Sequence, residues 1–269
     1  KGRSGRREVA RMSFSIDAVA EFEDFVEDMY DFADEQALSV DTLIHENGAA
    51  QLEINFNHGD PLDMADQVFV FKRTVRETAQ RHNMYATFMA KPMQKEPGSA
   101  LHIHQSILSL VTGDNIFNGA NDQPTPELMH YIAGLQRYTP DLISFYAPNV
   151  NSYRRLAPDI SAPINLSWGY DNRTTAFRVP DSTPINRRVE NRFPGADANP
   201  FLAIAASLAS GLLGLEHKLQ PTAPHQGTAN DDSVEVARSL EEAVRRLNAN
   251  TDLALSLIHI SEPTRPVTI

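Results

Sequence analysis

Apolar positions along the chain fall into two spacings, and the spacing assigns the elements. Val19, Phe22, Val26, Met29 and Ala33 stand three and four residues apart, one stripe of an amphipathic helix with acids on its other face. Between Gln51 and Phe56 the period drops to two. Leu52, Ile54 and Phe56 point one way and Gln51, Glu53 and Asn55 the other, which predicts a half-buried strand with a polar face. Asp60-Pro61 supplies a helix cap and a first-turn proline, opening a helix expected to run to about Asn83. Residues 85–89 and 100–110 read as further strands. Thr125-Pro126, Thr139-Pro140 and Asn199-Pro200 repeat the cap-plus-proline signature, each ahead of apolar helical spacing. The last opens a small-residue helix over 201–219 that is expected to pack closely in a core. Residues 163–168 and 175–179 read as strands, 220–234 as a polar linker, and 239–247 as a final amphipathic helix. No internal repeat is present. Helices interleaved with polar-faced strands predict an α+β domain with a mainly antiparallel sheet flanked by helices.

Both ends depart from this pattern. Residues 1–12 are a basic run without apolar period, expected to be a disordered or truncated start. Residues 258–269 hold two prolines and no cap or period, and read as a non-native tail.

Composition narrows the chemistry. The 269 residues are 41% hydrophobic, enough for a sizeable core, and include no cysteine. That excludes disulfides, thiolate metal sites and a cysteine nucleophile, so any metal must sit on oxygen and imidazole. No apolar run approaches the ~20 residues of a membrane helix, and no charged-then-apolar leader opens the chain; a cytoplasmic location without membrane contact is expected. A net charge of -11 argues against a nucleic-acid partner. Against that acidic background Arg154, Arg155, Arg173, Arg178, Arg187, Arg188 and Arg192 fall within 39 residues that hold no lysine and four acids. Such a cluster fits a small anionic ligand; a set of surface ion pairs is the plainer reading of any one of them.

Three constellations carry candidate chemistry. In the run from His45-Glu46 to Glu53, two carboxylates flank a glycine-containing turn, with Glu53 on the polar strand face and Glu46 placed to fold back beside it. Paired carboxylates are hard ligands for Mg²⁺ or Mn²⁺, although two solvated glutamates have the same pattern. In the run from Gly98 to Ser106, His102, His104 and Ser106 alternate with Leu101 and Ile103, so both imidazoles and the hydroxyl share one face. That fits an imidazole ligand plus a phosphate or nucleotide contact. In an extended segment 188–192, Arg188, Glu190 and Arg192 share a face, a carboxylate between two guanidiniums whose planar forks match phosphate and carboxylate oxygens. A structural ion-pair network has the same appearance.

Taken together and in order, these sets resemble the catalytic domain of glutamine synthetases. The anchors are His45-Glu46 through Glu53, Ala86-Thr87-Phe88-Met89-Ala90-Lys91-Pro92, Gly98 through Ser106, Asn151 through Leu156, Asn172-Arg173, Arg188 through Arg192, and Ala198-Asn199-Pro200. The resemblance covers residues 13–257 and implies a glutamine synthetase/guanido kinase-like fold. It implies that Glu46 and Glu53 ligate one divalent cation, and that His102 and Glu190 ligate a second. It implies that His104 and Ser106 contact ATP, and that Gly98, Arg155 and Arg192 hold glutamate. Arg173, Arg178 and Arg188 are then the catalytic arginines around the ATP phosphates. The implied reaction is phosphorylation of the glutamate γ-carboxylate by ATP, followed by attack of an amine on the acyl phosphate. Two Mg²⁺ or Mn²⁺ ions per site and a homo-oligomeric ring are further implications.

Departures from the family pattern bear on substrate and completeness. The family's first paired-glutamate strand and its small N-terminal β domain lie upstream of these residues, so the chain resembles an N-terminally truncated enzyme, expected to be inactive alone. Ser161 stands where glutamine synthetases usually carry a glutamate that helps bind ammonium, and Pro97 replaces an asparagine before Gly98. The wording Thr42-Leu43-Ile44-His45-Glu46 and Ala49-Ala50-Gln51-Leu52-Glu53-Ile54-Asn55-Phe56 is similar to the γ-glutamylpolyamine synthetase branch. An organic amine such as putrescine is therefore the favoured co-substrate. Asp159 is a candidate replacement for the missing acid, which keeps ammonium open. A non-catalytic ring homologue is the alternative from another class.

Overall fold

The structure, a computed structural model, describes all residues apart from 1, 6, 7, 9, 10, 158–161, 230–235, 251, 252 and 254–269. The expected tail at 258–269 lies outside the described residues. The chain divides into two compact units, Lys1–Gly98 and Ser99–Ile269.

The first unit packs two long helices on a two-stranded antiparallel sheet. Helix α1 (Ile16–Ala20) is capped by Ser15, whose hydroxyl accepts from the Ala18 amide. The stripe expected as one helix is broken at Glu21 and Phe22, where Arg3 N–H donates to the Glu21 carbonyl, and it resumes as α2 (Glu23–Glu35). Strands β1 (Val40–His45) and β2 (Leu52–Phe56) pair with His45 opposite Leu52 and Ile44 opposite Glu53. Helix α3 (Pro61–Arg81) starts where Asp60-Pro61 predicts, with the Asp60 carboxylate accepting from the Leu62 and Asp63 amides. The apolar face of the hairpin, Leu43, Leu52, Ile54 and Phe56, packs with Phe25 and Met29 of α2 and Phe71 and Val75 of α3.

Residues 85–89 do not form a strand. The expected alternation is real: Met84, Ala86 and Phe88 pack toward the core while Tyr85 and Met89 are exposed. The segment nevertheless has no ladder partner, and a strand exists only by pairing. Phe88 is held instead under the Arg76 guanidinium, 4.9 Å from the ring centroid.

The second unit is a four-stranded sheet backed by helices. Strands β3 (Ile103–Gln105), β4 (Trp168–Tyr170), β5 (Phe177–Val179) and β6 (Val189–Asn191) are ordered β3-β6-β5-β4, antiparallel except for the parallel pair β4/β5. The α+β reading with a mainly antiparallel sheet therefore holds. Strands are shorter than predicted. The strand read into 100–110 keeps only β3 and isolated bridges at Ala100 and Leu108. The strand read into 163–168 begins only at Trp168, because the Asn165 side chain accepts from the amide and hydroxyl of Ser167 and turns the chain there.

Helix α4 (Pro126–Tyr146) runs straight through Thr139-Pro140, which the sequence reads as a helix start. The missing proline N–H costs one helical bond. Continuous burial of Leu135, Leu142, Ile143 and Tyr146 along one stripe outweighs that loss. Helix α5 (Pro200–Glu216) is capped by Asn199 as expected and crosses α4 at glycines. A Cβ on Gly134 would lie 2.2 Å from the Ser210 carbonyl oxygen and 2.7 Å from Gly214 Cα, so the two backbones touch. Helix α6 (Leu240–Ala249), capped by Ser239, closes the described chain.

Candidate active site

The registers sort the second unit's strands into a core face and a working face. Ile103 stands opposite Asn191, His104 opposite Glu190, and Arg178 opposite Glu190. His102, His104, Arg178, Glu190 and Arg192 therefore share one face. Ile103, Gln105, Phe177, Val189 and Asn191 take the other, against α4 and α5. That core face has its own polar clasp: Gln105 and Asn191 both donate to Ser207 Oγ, at 2.7 and 2.9 Å, and Tyr131 donates to Gln105 at 2.7 Å. These three buried bonds pin the sheet to the helices.

Glu190 is the hub of the working face. It is 2% exposed. Its Oε1 accepts from Arg192 Nη1 at 2.6 Å and lies 3.2 Å from His102 Nδ1, and its Oε2 accepts from Arg178 Nη1 at 3.0 Å. Burial opposes the charge, but the positive neighbours win and the carboxyl is held down at about 2, well below its usual 4.5. Arg178 is also bonded to Asp171, in the β4–β5 turn. Burial weakens its proton affinity, yet the bonds to Asp171 and Glu190 outweigh that and raise it.

Both imidazoles on this face are neutral at physiological pH. Burial, then the charge of Arg192, lowers His102 from 6.5 to about 3 against the pull of Glu190. His104 is lowered too, by burial first and by Arg188 after the opposing effect of Glu190. Its Nδ1 accepts from Arg188 Nε at 3.2 Å, so the ring proton is assigned to Nε2. Arg188 thus pairs with His104. The sequence-based picture of Glu190 between Arg188 and Arg192 is corrected: the two guanidiniums on Glu190 belong to Arg178 and Arg192, because β5 lies beside β6 and brings Arg178 into register.

The arginine run does not gather as one patch. Arg154 and Arg173 are exposed on turns, and Arg187 donates to Asn118 Oδ1 at 3.1 Å. Arg155 is 3% exposed and donates to the carbonyls of Phe193 at 2.7 Å and Arg192 at 2.9 Å. The buried Nε atoms of Arg178 and Arg192 have no hydrogen-bond acceptor among the described residues. Ser106 is exposed one step beyond β3.

In the first unit the β1–β2 register puts Glu46, Gln51 and Glu53 on the hairpin face turned away from the helices. Glu46 N–H donates to the Gln51 carbonyl at 2.8 Å, and its carboxylate accepts from the backbone and side chain of Asn47. The left-handed residue of this turn is Ala50, with φ 54°, not the glycine. The Gly48 amide donates to Gln51 Oε1 at 2.9 Å. Gln51 Nε2 in turn donates to the Gly98 carbonyl at 3.0 Å, tying the expected glutamate contact to the hairpin. His45 is buried between Glu8 and the Glu46 carbonyl and serves the hairpin's packing.

Sequence patterning missed Asp171, Gln51 and the Gln105/Asn191/Ser207 clasp. Only the polar side chains at both inward positions, 105 and 191, signalled the clasp. Asp159 and Ser161 lie outside the described residues.

Residues 1–260 match the family described as glutamine synthetase, catalytic domain. The chain belongs to the glutamine synthetase family. It is 41% identical over 207 residues to the γ-glutamylputrescine synthetase PuuA of Escherichia coli K12, covering 77% of this chain and 44% of that protein. It is 44% identical over 203 residues to a glutamate–isopropylamine ligase of a Pseudomonas species, covering 74% and 44%. A glutamine synthetase of Pyrococcus abyssi is 38% identical over 210 residues, covering 78% and 47%. The chain thus spans less than half the length of these relatives. Among solved structures, the GmaS/ADP complex aligns with a TM-score of 0.84 at 28% identity, covering 97% of this chain and 66% of that one. Ligand-free GmaS aligns at 0.83 and 29% identity, covering 95% and 64%. No helix among the described residues is long and apolar enough to cross a membrane.

Among the described residues no three His, Cys, Asp or Glu side chains converge on one point. His102 Nδ1 and Glu190 Oε1 lie 3.2 Å apart, and Glu46 and Glu53 share one face of the hairpin. Hard oxygens and a neutral imidazole are donor types that suit Mg²⁺ or Mn²⁺.

Proposed function

We propose that this chain carries the ATP-, cation- and glutamate-binding residues of a ligase that joins the γ-carboxylate of L-glutamate to an amine, an organic amine such as putrescine being favoured. The observation that carries the reading is the working face of the second unit: a buried carboxylate ringed by guanidiniums, beside two neutral imidazoles.

The residues divide the work as follows. Arg173, Arg178 and Arg188 take charge from the ATP phosphates as the γ-phosphoryl group moves to the glutamate carboxylate. Transfer between two anions is limited by repulsion, and fixed positive groups in a water-poor site offset it. His104 and Ser106 contact the nucleotide, His104 being held in one tautomer by Arg188. Arg155 and Arg192 take carboxylates of glutamate, and the Gly98 backbone contacts the same amino acid. His102 with Glu190, and Glu46 with Glu53, hold divalent cations. When bound, such ions screen phosphate oxygens and polarise the transferring group. Burial favours this use of His102, because an imidazole kept neutral retains the lone pair a cation needs.

The preference for an organic amine rests on Ser161 at the position of a usual glutamate, and on relatives named for putrescine and isopropylamine. Glutamine synthetases that match at 38–41% keep ammonium as the second reading. The test is amine-dependent phosphate release by the full-length protein with ATP, Mg²⁺ and glutamate. Putrescine or isopropylamine should exceed ammonium in kcat/KM. Ammonium ahead of both selects the second reading, and no turnover with any amine sinks the ligase.

A further inference from the structure

We propose that Asp197 is a positioning residue for the Arg155/Arg192 pair. It braces the turn that carries Arg155, so that this arginine in turn fixes the backbone of Arg192. The inference rests on the reading of those two arginines as the glutamate-carboxylate contacts.

Asp197 lies between β6 and α5, in the stretch of chain that follows Arg192. Its Oδ2 accepts from Ser152 Oγ at 2.6 Å and from Asn149 Nδ2 at 3.0 Å. Ser152 Oγ itself accepts from the Asn149 amide at 3.0 Å, and the Arg155 amide donates to the Ser152 carbonyl at 3.0 Å. Ser152 and Arg155 are both buried, at 2% and 3% exposure. From the other end of this short turn the Arg155 guanidinium reaches back to the carbonyls of Arg192 and Phe193. The turn after α4 and the segment after β6 are therefore fastened twice, by Asp197 at one end and by Arg155 at the other.

Three features distinguish this brace from an ordinary surface network. Asp197 Oδ1 is buried and accepts from no described residue, so the carboxylate keeps part of its charge uncompensated by hydrogen bonds. The charge that faces it is Arg155, which burial and Arg192 pull down to about 10 and Asp197 supports. Arg192 is paired with Glu190, whereas the Arg155 guanidinium donates to backbone carbonyls, and Asp197 is the carboxylate whose charge favours its protonated form. A misplacement of about 1 Å in such a contact costs up to about a hundredfold in rate.

The experiment uses the full-length protein with Asp197→Ala, Asp197→Asn and Arg155→Ala, each measured for KM of glutamate, KM of ATP, kcat and melting temperature. Asp197→Ala should raise the glutamate KM about tenfold while leaving that for ATP unchanged. Asp197→Asn, which still accepts from Ser152, should recover part of the loss. An unchanged glutamate KM in Asp197→Ala overturns the proposal. So does a joint rise in both KM values with a fall in melting temperature that asparagine does not recover, since that is the mark of a purely structural residue. Arg155→Ala separates the two levels. If it leaves the glutamate KM unchanged, the reading of Arg155 fails. If it raises that KM and Asp197→Ala does not, only the positioning role fails.

Discussion

Replacing Glu190 with glutamine preserves shape and removes one buried negative charge. In the native protein both carboxylate oxygens accept: Oε1 from Arg192 at 2.6 Å and Oε2 from Arg178 at 3.0 Å. A glutamine amide has one acceptor oxygen and one NH₂ group. Whichever way it lies, the NH₂ faces a guanidinium N–H, donor against donor. Arg192 then has no ion pair among the described residues, and Arg178 keeps Asp171 alone. Removing one partner of a buried ion pair costs ~3–5 kcal/mol. Despite burial, the carboxyl is also held below its usual 4.5, at about 2, by neighbours that include His102, Arg192 and Arg178, which fixes the sign of its pH dependence. Because the folded value is the depressed one, this contribution is complete above the unfolded value of 4.5 and is lost as pH falls through about 2. The assay is urea unfolding of native protein and Glu190→Gln, each at neutral and at acid pH. The variant should lose ~3 kcal/mol at neutral pH, and the gap should narrow on acidification as the native carboxyl protonates. A neutral-pH loss below about 1 kcal/mol, the range of an exposed pair, would refute the buried-hub account. A gap independent of pH would refute the electrostatic part of it.

Other perturbations test separate parts of the structure. Gly134→Ala should cost at least ~2 kcal/mol in thermal unfolding, because its Cβ meets Ser210 and Gly214 backbone that cannot yield; a neutral result means α4 and α5 do not cross this closely. Burial raises Tyr146 and Tyr153 from 10.0 to about 12 and raises Tyr131 further. Their contribution is intact below the unfolded value and is lost as pH rises through the folded one, so stability should fall above about pH 10 in step with tyrosinate absorbance; flat stability through that range refutes it. Arg188→Ala should weaken ATP binding about tenfold by calorimetry, through the lost guanidinium and the released His104 ring. Asn199→Ala should remove the α5 cap and lower stability by about 1 kcal/mol in urea unfolding.

How much of this was legible in the sequence depends on which interaction decides each feature. Caps act within three residues, so Asp60, Thr125 and Asn199 announce their helices correctly. The period of two along residues 102–106 and 188–192 places the site residues on one face, because a ladder keeps alternate side chains together whatever its partner. Thr139-Pro140 has the same local signal as those caps and fails, because burial of the surrounding stripe is a tertiary term that no local pattern contains. Residues 85–89 alternate in burial as a strand would, yet a strand requires a neighbour, and the sequence does not say which edges meet.

The same limit decides the active-site hub. Arg188, Glu190 and Arg192 are neighbours in sequence, and their shared face makes an ion-pair trio the natural expectation. The order β3-β6-β5-β4 changes the partners. With β5 on one flank of β6, Arg178 reaches Glu190 from twelve residues away. With β3 on the other flank, His104 draws off Arg188. Each arginine takes the acceptor that the ladder sets beside it, so ion-pair partners cannot be read from the order of arginines along the chain where strands from distant segments interleave. Roles for Arg155 and Arg192 follow the same logic: they are coupled through the carbonyls that one donates to and the other carries. A substitution at either is therefore expected to disturb both.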